Sequence, residues 1–368
     1  MMHPAHPLLL ENVLESQPRQ AATRILISEG GDGWLAREIA TQLPQSEILT
    51  LARDSRDVRA AQTKLAGLPN ANATEDVLAA QESAGTWDIV LLTTPKGRRY
   101  ARVLLLAAWS ALRPGGHLLV AGPSKGGAKA VITDAERLFG NSVGRGYRNH
   151  QRVALSIRPD VVELVLPKAF TEPGVAPNTE QFVEIERPQG SLSLLSHPGV
   201  FSWKHLDPGT ELLLKHMHIQ TGERVWDVGC GIGILGLAAA MAGAGAVAMS
   251  DVNLLAAQYA RQNVVRNGFE AIITVFAKDG IAQNPLEEPT GQQWDLIVSN
   301  PAFHQEEKVD TSMPDAMIQQ APSVLASQGR LLLVANRFLN YDKQMRKVFS
   351  SVEIVASTRS YHVIEGRV

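Results

Sequence analysis

Asn300-Pro301-Ala302-Phe303 follows the apolar run Trp294-Asp295-Leu296-Ile297-Val298-Ser299, which reads as a buried strand. An asparagine amide oxygen and the neighbouring backbone carbonyls are all acceptors, an arrangement suited to aligning an NH2 group. The aromatic at Phe303 suits stacking on the planar ring that carries that amine. Upstream, Asp227-Val228-Gly229-Cys230-Gly231-Ile232-Gly233 is a glycine loop at another strand end. Glycines are needed where a strand turns sharply into a helix and the backbone must approach a ligand. Gly229, Gly231 and Gly233 would pass beside the methionine and ribose parts of S-adenosylmethionine. Asp227 would bind the amino-acid moiety, directly or through water. Asp251, at the end of the next strand, would accept hydrogen bonds from the ribose hydroxyls, and Asp279, after the third, would read the adenine amine. The order of the two motifs points to methyl transfer onto a planar amine.

Such an amine is a poor nucleophile, because its lone pair is delocalised into the ring. Acceptors holding the NH2 hydrogens favour rehybridisation and aim the lone pair, and Asn300 and the Pro301 carbonyl are the groups placed for this. Catalysis of that kind is orientation and electrostatics, without a covalent enzyme intermediate. A nucleobase target would have to be flipped or single-stranded. Other readings of the same residues stand beside this one. Gly231-Ile232-Gly233-Ile234-Leu235-Gly236 also satisfies the dinucleotide pattern G-x-G-x-x-G, with Asp251 downstream. An acid at Asp227 would repel a pyrophosphate placed nearby, which argues against it. Asn-Pro is also a turn initiator, Asp251 could cap the following helix, and Lys278-Asp279-Gly280 could be an ordinary turn. Cys230 has no basic partner nearby in sequence and reads as a small packing residue.

Two series of alternating elements position these residues. In the second half, strands are expected at 224–227, 246–250, 272–276, 294–299 and 330–335. Helices are expected at 232–242, from an Asn253 cap to Asn267, and at 313–326, with a closing hairpin at 352–357 and 361–364. This is an α/β pattern with a mainly parallel sheet, whose ligands collect at the carboxyl ends of the strands. The first half keeps the same beat: strands at 23–28, 47–51, 87–93 and 117–121, with Glu29-Gly30-Gly31-Asp32-Gly33 after the first. Trp87-Asp88-Ile89-Val90 answers Trp294-Asp295-Leu296-Ile297. An internal duplication follows, whose first copy has lost its chemistry: Thr94-Pro95-Lys96 keeps the proline without the Asn or the aromatic. The stretch 157–185 holds four prolines and reads as a connector that can include strands.

The chain has 368 residues, enough for two cores, and a net charge of −2, so no global basic signature for nucleic acid. One cysteine excludes an internal disulfide and a Cys-based zinc site, and no metal-ligand cluster is visible, so no metal is expected. Residues 1–14 lack a basic stretch followed by a sustained apolar core, and the apolar runs at 103–108 and 235–242 are too short to span a bilayer. A soluble, cytoplasmic protein without a membrane partner is expected.

The second half resembles the ribosomal RNA guanine-N2 methyltransferases, in particular the small-subunit enzymes acting on 16S rRNA. The residues that carry the likeness are Pro198-Gly199-Val200-Phe201-Ser202, Leu206-Asp207, Gly209-Thr210-Glu211-Leu212-Leu213, the loop 227–233, the segment 299–304 and Val334-Ala335-Asn336-Arg337-Phe338-Leu339. The family's architecture is similar too: two tandem Rossmann-like methyltransferase domains, the first degenerate. Applied here, this implies a degenerate domain at 1–185 that positions RNA and a catalytic domain at 186–368. The resemblance implies that Asp227, Gly229, Asp251 and Asn300 serve cofactor and target base. It also implies that Phe201, Ser202 and Asp207 approach the cofactor. The family motif is Asn-Pro-Pro-Phe; Ala302 replaces the second proline here, which removes stiffness and keeps Asn300, Pro301 and Phe303.

The partner implied is ribosomal RNA, within the small subunit or an assembly intermediate. Arg145-Gly146-Tyr147-Arg148-Asn149-His150-Gln151-Arg152, Lys96-Gly97-Arg98-Arg99-Tyr100 and the stretch 125–129 are basic clusters suited to phosphate and base contact, or to a solvated face. Three alternatives remain: a large-subunit guanine-N2 enzyme, a protein-glutamine or DNA-adenine methyltransferase, and an inactive RNA-binding relative.

Overall fold

The computed structural model describes residues 2–16, 22–75, 84–161, 163–281, 293–301, 304–306, 308–310 and 312–368. Its contacts divide the chain into two units, Met1–Glu180 and Gln181–Val368.

The first unit opens with the helix His6–Ser16. Its strands are β1 (Arg24–Ser28), β2 (Glu47–Leu51), β3 (Ala71–Thr74), β4 (Trp87–Thr93), β5 (Leu112–Pro123), β6 (Val143–Arg148) and β7 (Gln151–Ile157). They form one sheet in the order β3-β2-β1-β4-β5-β7-β6. The first five strands are parallel, and β7 and β6 run antiparallel at one edge. Helices Trp34–Gln42, Ser55–Leu65, Arg98–Ala111 and Ala128–Phe139 make the crossovers.

The second unit begins with a hairpin, β8 (Gln181–Arg187) and β9 (Gly190–Ser196), so the boundary expected after residue 185 falls inside β8. Helix Pro208–His216 follows. Then come β10 (Arg224–Val228), β11 (Ala246–Asp251), β12 (Ile273–Ala277), β13 (Trp294–Ser299), the short pair β14 (His304–Glu306) and β15 (Lys308–Asp310), β16 (Leu325–Asn336), β17 (Ser351–Ser357) and β18 (Tyr361–Arg367). The main sheet runs β12-β11-β10-β13-β16-β18-β17, the order of the first sheet strand for strand.

The duplication extends to hydrogen bonds. The Arg24 N–H donates to Asp88 Oδ2 at 2.8 Å, and the Arg224 N–H donates to Asp295 Oδ2 at the same 2.8 Å. Each Trp-Asp pair therefore pins the first strand of its sheet to the fourth. Both sheets also slip register just after that tryptophan, at Trp87/Ile89 and at Trp294/Leu296. The tryptophans Trp87, Trp226 and Trp294 are fully buried and anchor the two cores. Each such ring removes a large apolar area from water.

Local signals explain most element ends. Asn253 caps the helix Leu254–Arg266 by accepting from the Leu255 and Ala256 N–H groups, and Asn267 and Gly268 end it. Several expected boundaries shift: the helix expected at 232–242 spans Ile234–Met241, and the strand expected at 117–121 is β5, which starts at Leu112. The helix before β16 ends at Val324 rather than at 326, and β16 starts at Leu325 rather than at 330. The cause is the register slip, which lets Leu325 pair with Trp294 before Arg330 pairs with Leu296. Among the described residues no helix is long and apolar enough to cross a membrane.

Candidate active site

The strand order reverses between β10 and β13, and the glycine loop and Asn300 follow directly at the carboxyl ends of these two strands. Ser299 Oγ donates to the Val228 carbonyl at 2.7 Å, which staples the two strand ends together in the interior. Just beyond these ends lie the glycine loop on one side and Asn300 on the other.

The glycine loop is left-handed at three points, with φ of 74° at Gly229, 55° at Gly231 and 92° at Gly233. It is held to the end of β11 by the N–H groups of Gly229 and Cys230, which both donate to the Ser250 carbonyl. A Cβ built at Gly229 would meet nothing nearer than Met313 Cε at 4.0 Å, and one at Gly231 nothing nearer than Val200 Cγ1 at 3.9 Å. The outer face of the loop is bare backbone. Behind it, Gly236 lets the helix Ile234–Met241 lie against β11: a Cβ there would fall 2.4 Å from Met249 Sδ.

Two acids are bonded to the backbone of the loop and the helix it opens. Asp227 is fully buried, its Oδ2 accepts the Gly236 N–H at 2.9 Å, and its Oδ1 has no hydrogen-bond partner. Burial, with a smaller contribution from Asp251 against the Gly236 bond, pushes its carboxyl up to about 7. Asp251 spans the loop and the next helix, accepting the Gly231 N–H through Oδ2 at 2.9 Å and the Asn253 N–H through Oδ1 at 2.8 Å. The helix cap itself is Asn253. Asp279 lies just past β12 and is part-buried. Cys230 is buried, and burial, then Asp251 and Asp227, raises its thiol well above the ordinary range, so it is inert packing.

Asn300 faces the helix Pro208–His216. Its Nδ2 donates to Asp207 Oδ2 at 3.0 Å and to Thr210 Oγ1 at 2.7 Å. Asp207 is the N-cap of that helix and also accepts the Thr210 N–H at 2.9 Å. An ionised carboxylate only accepts, so the NH2 side of the amide must face it and Oδ1 must face away. Pro301 is buried beside it. Phe303 and Ala302 lie outside the described residues. Tyr361, at the start of β18, packs over this turn: a Cβ on Gly209 would fall 3.3 Å from its Cε1. Burial, then the Asp207 carboxylate, raises the phenol and keeps it protonated.

The segment ahead of the helix reaches back to the loop. Asn253 Nδ2 donates to the Gly199 carbonyl at 3.0 Å, and the buried Asn263 brackets Leu195, accepting its N–H and donating to its carbonyl. Asn263 also donates to the Ile232 carbonyl in the glycine loop. Phe201 is 63% exposed, and Ser202, left-handed at φ 49°, donates from Oγ to the His205 carbonyl. Thr210, Asn253, Asn263 and Tyr361 were not among the residues marked from sequence as lining the site. The spacing Asp207-x-x-Thr210 is a capping signal, and it could have flagged Thr210.

Comparison with known proteins fits this geometry. The family described as Methyltransferase small domain matches residues 191–365. Ribosomal RNA small subunit methyltransferase C of Shewanella loihica is 31% identical over 77% of this chain and 78% of its own length. The protein of the same name from Shewanella amazonensis is 34% identical over 76% and 77%. Ribosomal RNA large subunit methyltransferase G of Pseudomonas fluorescens is 29% identical over 99% of this chain and 92% of its own. Among solved structures, the T. thermophilus 16S rRNA N2 G1207 methyltransferase (RsmC), in complex with AdoMet and guanosine, superposes with a TM-score of 0.78. It is 25% identical and covers 99% of this chain and 91% of that one. With a doubled sheet and a glycine loop facing a fixed asparagine, the chain belongs to the family of ribosomal RNA small subunit methyltransferase C.

Proposed function

We propose that this protein methylates the exocyclic N2 amine of a guanine in 16S ribosomal RNA, using S-adenosylmethionine. The observation that carries the reading is the orientation of Asn300. With both amide hydrogens given to Asp207 and Thr210, its Oδ1 is left as an acceptor just past the end of β13, the strand beside the one that leads into the glycine loop. When bound, S-adenosylmethionine supplies an electrophilic methyl on a cationic sulfur. Gly229 and Gly231 put no side chain on the left-handed loop, which leaves its backbone open to a ligand's approach, and a relative of the same family holds AdoMet and guanosine together.

In this reading Asn300 Oδ1 and the Pro301 carbonyl accept the two N2 hydrogens and aim the nitrogen lone pair at the methyl carbon. The N–C bond forms as the C–S bond breaks, the bonding pair stays on sulfur, and the extra N2 proton leaves to water. Phe303, by residue type and place in the motif, stacks on the guanine. Gly229, Gly231 and Gly233 pass beside the cofactor, and Phe201, Ser202 and Asp207 approach it from the preceding segment. Asp251 takes the ribose hydroxyls, and Asp279 reads the adenine. Asp227 binds the amino-acid moiety of the cofactor, directly or through water, while its Oδ2 braces the loop through Gly236.

The first unit positions the RNA. Its hairpin β6–β7 presents Tyr147, 60% exposed, with Arg152 Cζ 5.7 Å from the ring centre, and Arg145 and Arg148 alongside. Interleaved Arg and Tyr suit phosphate contact and base stacking. The small subunit, or an assembly intermediate of it, is the partner, and the cytoplasm is the compartment. A second reading, a large-subunit target, is favoured by the whole-chain likeness to methyltransferase G.

The test is transfer of labelled methyl to unmodified ribosomal RNA, offered naked and as isolated subunits, followed by digestion to nucleosides. N2-methylguanosine from small-subunit material is expected. The same nucleoside from large-subunit material alone would move the target, and label in protein or DNA alone would overturn the reading.

A further inference from the structure

The reaction needs an acceptor of known orientation, and an asparagine does not supply one by itself. Its amide can turn end for end, and the reversed form would present NH2 donors to the target amine, which would repel it. Something must fix the sense of the amide.

We infer that Thr210 and Asp207 are positioning residues that lock Asn300 with its carbonyl toward the substrate. The inference rests on the methyl-transfer reading above and deepens it. Two acceptors meet the two Nδ2 hydrogens, at 2.7 Å from Thr210 Oγ1 and 3.0 Å from Asp207 Oδ2. Asp207 cannot exchange acceptor for donor while ionised, so it decides which end of the amide faces it. Thr210 adds a second acceptor in another direction, which fixes the rotation of the amide plane as well as its sense.

The lock is itself built into the fold. Asp207 is held by capping the helix Pro208–His216, where the same Oδ2 accepts the Thr210 N–H at 2.9 Å. Thr210 is buried, on the first turn of that helix, so neither acceptor is free to swing. The strand end carrying Asn300 is stapled by Ser299 to the Val228 carbonyl. Helix and strand are thus each fixed independently, and the amide bridges them.

The experiment compares Thr210→Val with Thr210→Ser in the full-length protein. Valine keeps the shape and removes the acceptor; serine keeps the acceptor. Thr210→Val is expected to lower kcat for methyl transfer to ribosomal RNA by about tenfold or more, the scale of one lost hydrogen bond. The Kd for S-adenosylmethionine, by calorimetry, should stay within about twofold. Thr210→Ser should keep most of the wild-type kcat. Wild-type kcat in Thr210→Val would overturn the inference, as would equal loss in both variants or a loss confined to cofactor affinity.

A reciprocal exchange supplies an independent check. Asn300→Asp sets two carboxylates against each other and should abolish turnover. Adding Asp207→Asn restores a donor–acceptor pair in the reverse sense and should recover measurable kcat, while no recovery counts against the lock. A wild-type protein that binds the cofactor yet methylates no RNA would instead overturn the parent reading, and the inference with it.

Discussion

At the end of their first strands the two sheets follow the same backbone path with different side chains on it. Gly229, Gly231 and Gly233 have φ of 74°, 55° and 92°, and Glu29, Gly31 and Gly33 have 56°, 58° and 80°. A glutamate holds a left-handed conformation where the second unit has glycine, at a strain of about 1–2 kcal/mol. Its carboxylate uses the room a ligand would need. Glu29 pairs with Arg53 at 3.0 Å and accepts from Tyr100 Oη at 3.0 Å, while Arg53 lies over the Tyr100 ring at 4.3 Å. Burial, then Glu29, raises the phenol far above its ordinary value, so Tyr100 remains a donor. What is left is a small cavity of about 30 Å3 lined by Glu29, Arg53 and Tyr100. The same replacement runs through the other site positions. By register Ile27 stands for Asp227, Ala52 for Asp251 and Thr93 for Asn300; Pro95 therefore falls one residue past the place of Pro301, and the proline expected to be kept in the first copy is not. Even the bridge to the preceding helix survives in altered form, as Thr93 Oγ1 against His6 Nε2 at 3.3 Å. Burial, then His3, holds that imidazole down to about 4, so it stays neutral. One sheet order therefore supports either an open site or a filled one, and a few side chains at the strand ends decide which.

The largest effect expected from breaking this contrast is at Asn300. Asn300→Ala should lower methyl transfer by roughly a thousandfold, on the scale of losing a preorganised polar group at a reaction centre. Cofactor binding should persist, and Thr93→Ala should leave transfer unchanged; both are read by labelled-methyl assay. Next comes Gly229→Glu, which writes the first unit's residue into the second. The fold accepts glutamate at this geometry in Glu29, so the variant should fold yet bind S-adenosylmethionine at least about a hundredfold more weakly by calorimetry. The reverse change, Glu29→Gly, should create no second cofactor site, because Tyr100 and Arg53 remain.

Asp227→Asn probes the buried acid that Ile27 replaces. A carboxyl at about 7 when folded binds its proton more tightly than in the unfolded chain. Its contribution to stability is therefore fully present below its unfolded value near 4 and is lost as pH rises through about 7. The variant should gain on the parent across that window, by up to about 4 kcal/mol, in urea unfolding at stepped pH. Smaller effects belong to the first unit. Glu29→Gln should cost about 1–3 kcal/mol of stability by stranding Arg53, with kcat unchanged. Charge reversal at Arg145, Arg148 and Arg152 should weaken RNA binding about tenfold in filter binding and leave cofactor affinity alone. Arg148 already pairs with Glu11 at 2.8 Å, so Arg145 and Arg152 should carry most of the change.

Much of this was legible in the chain because its signals are local. Trp87-Asp88 and Trp294-Asp295 announced the repeated strand, and the structure adds that each aspartate binds a backbone N–H across the sheet. Asn253 announced its helix by capping chemistry alone. The filling of the first unit was not legible, because Glu29, Arg53 and Tyr100 are far apart in sequence and meet only when β1, β2 and the helix after β4 are assembled. Thr210 was legible as part of a motif and of a helix cap, but its bond to Asn300, ninety residues on, exists only once helix and strand are assembled. The hairpin β8–β9 alternates Val183, Ile185, Leu192 and Leu194 inward, but it follows prolines at 159, 167, 173 and 177 that make the stretch read as a connector.

The most direct test is the stoichiometry of S-adenosylmethionine binding, by calorimetry on the full chain and on Gly229→Glu. The account predicts one equivalent per chain, abolished by Gly229→Glu. Two equivalents, or one that survives the substitution, would contradict it.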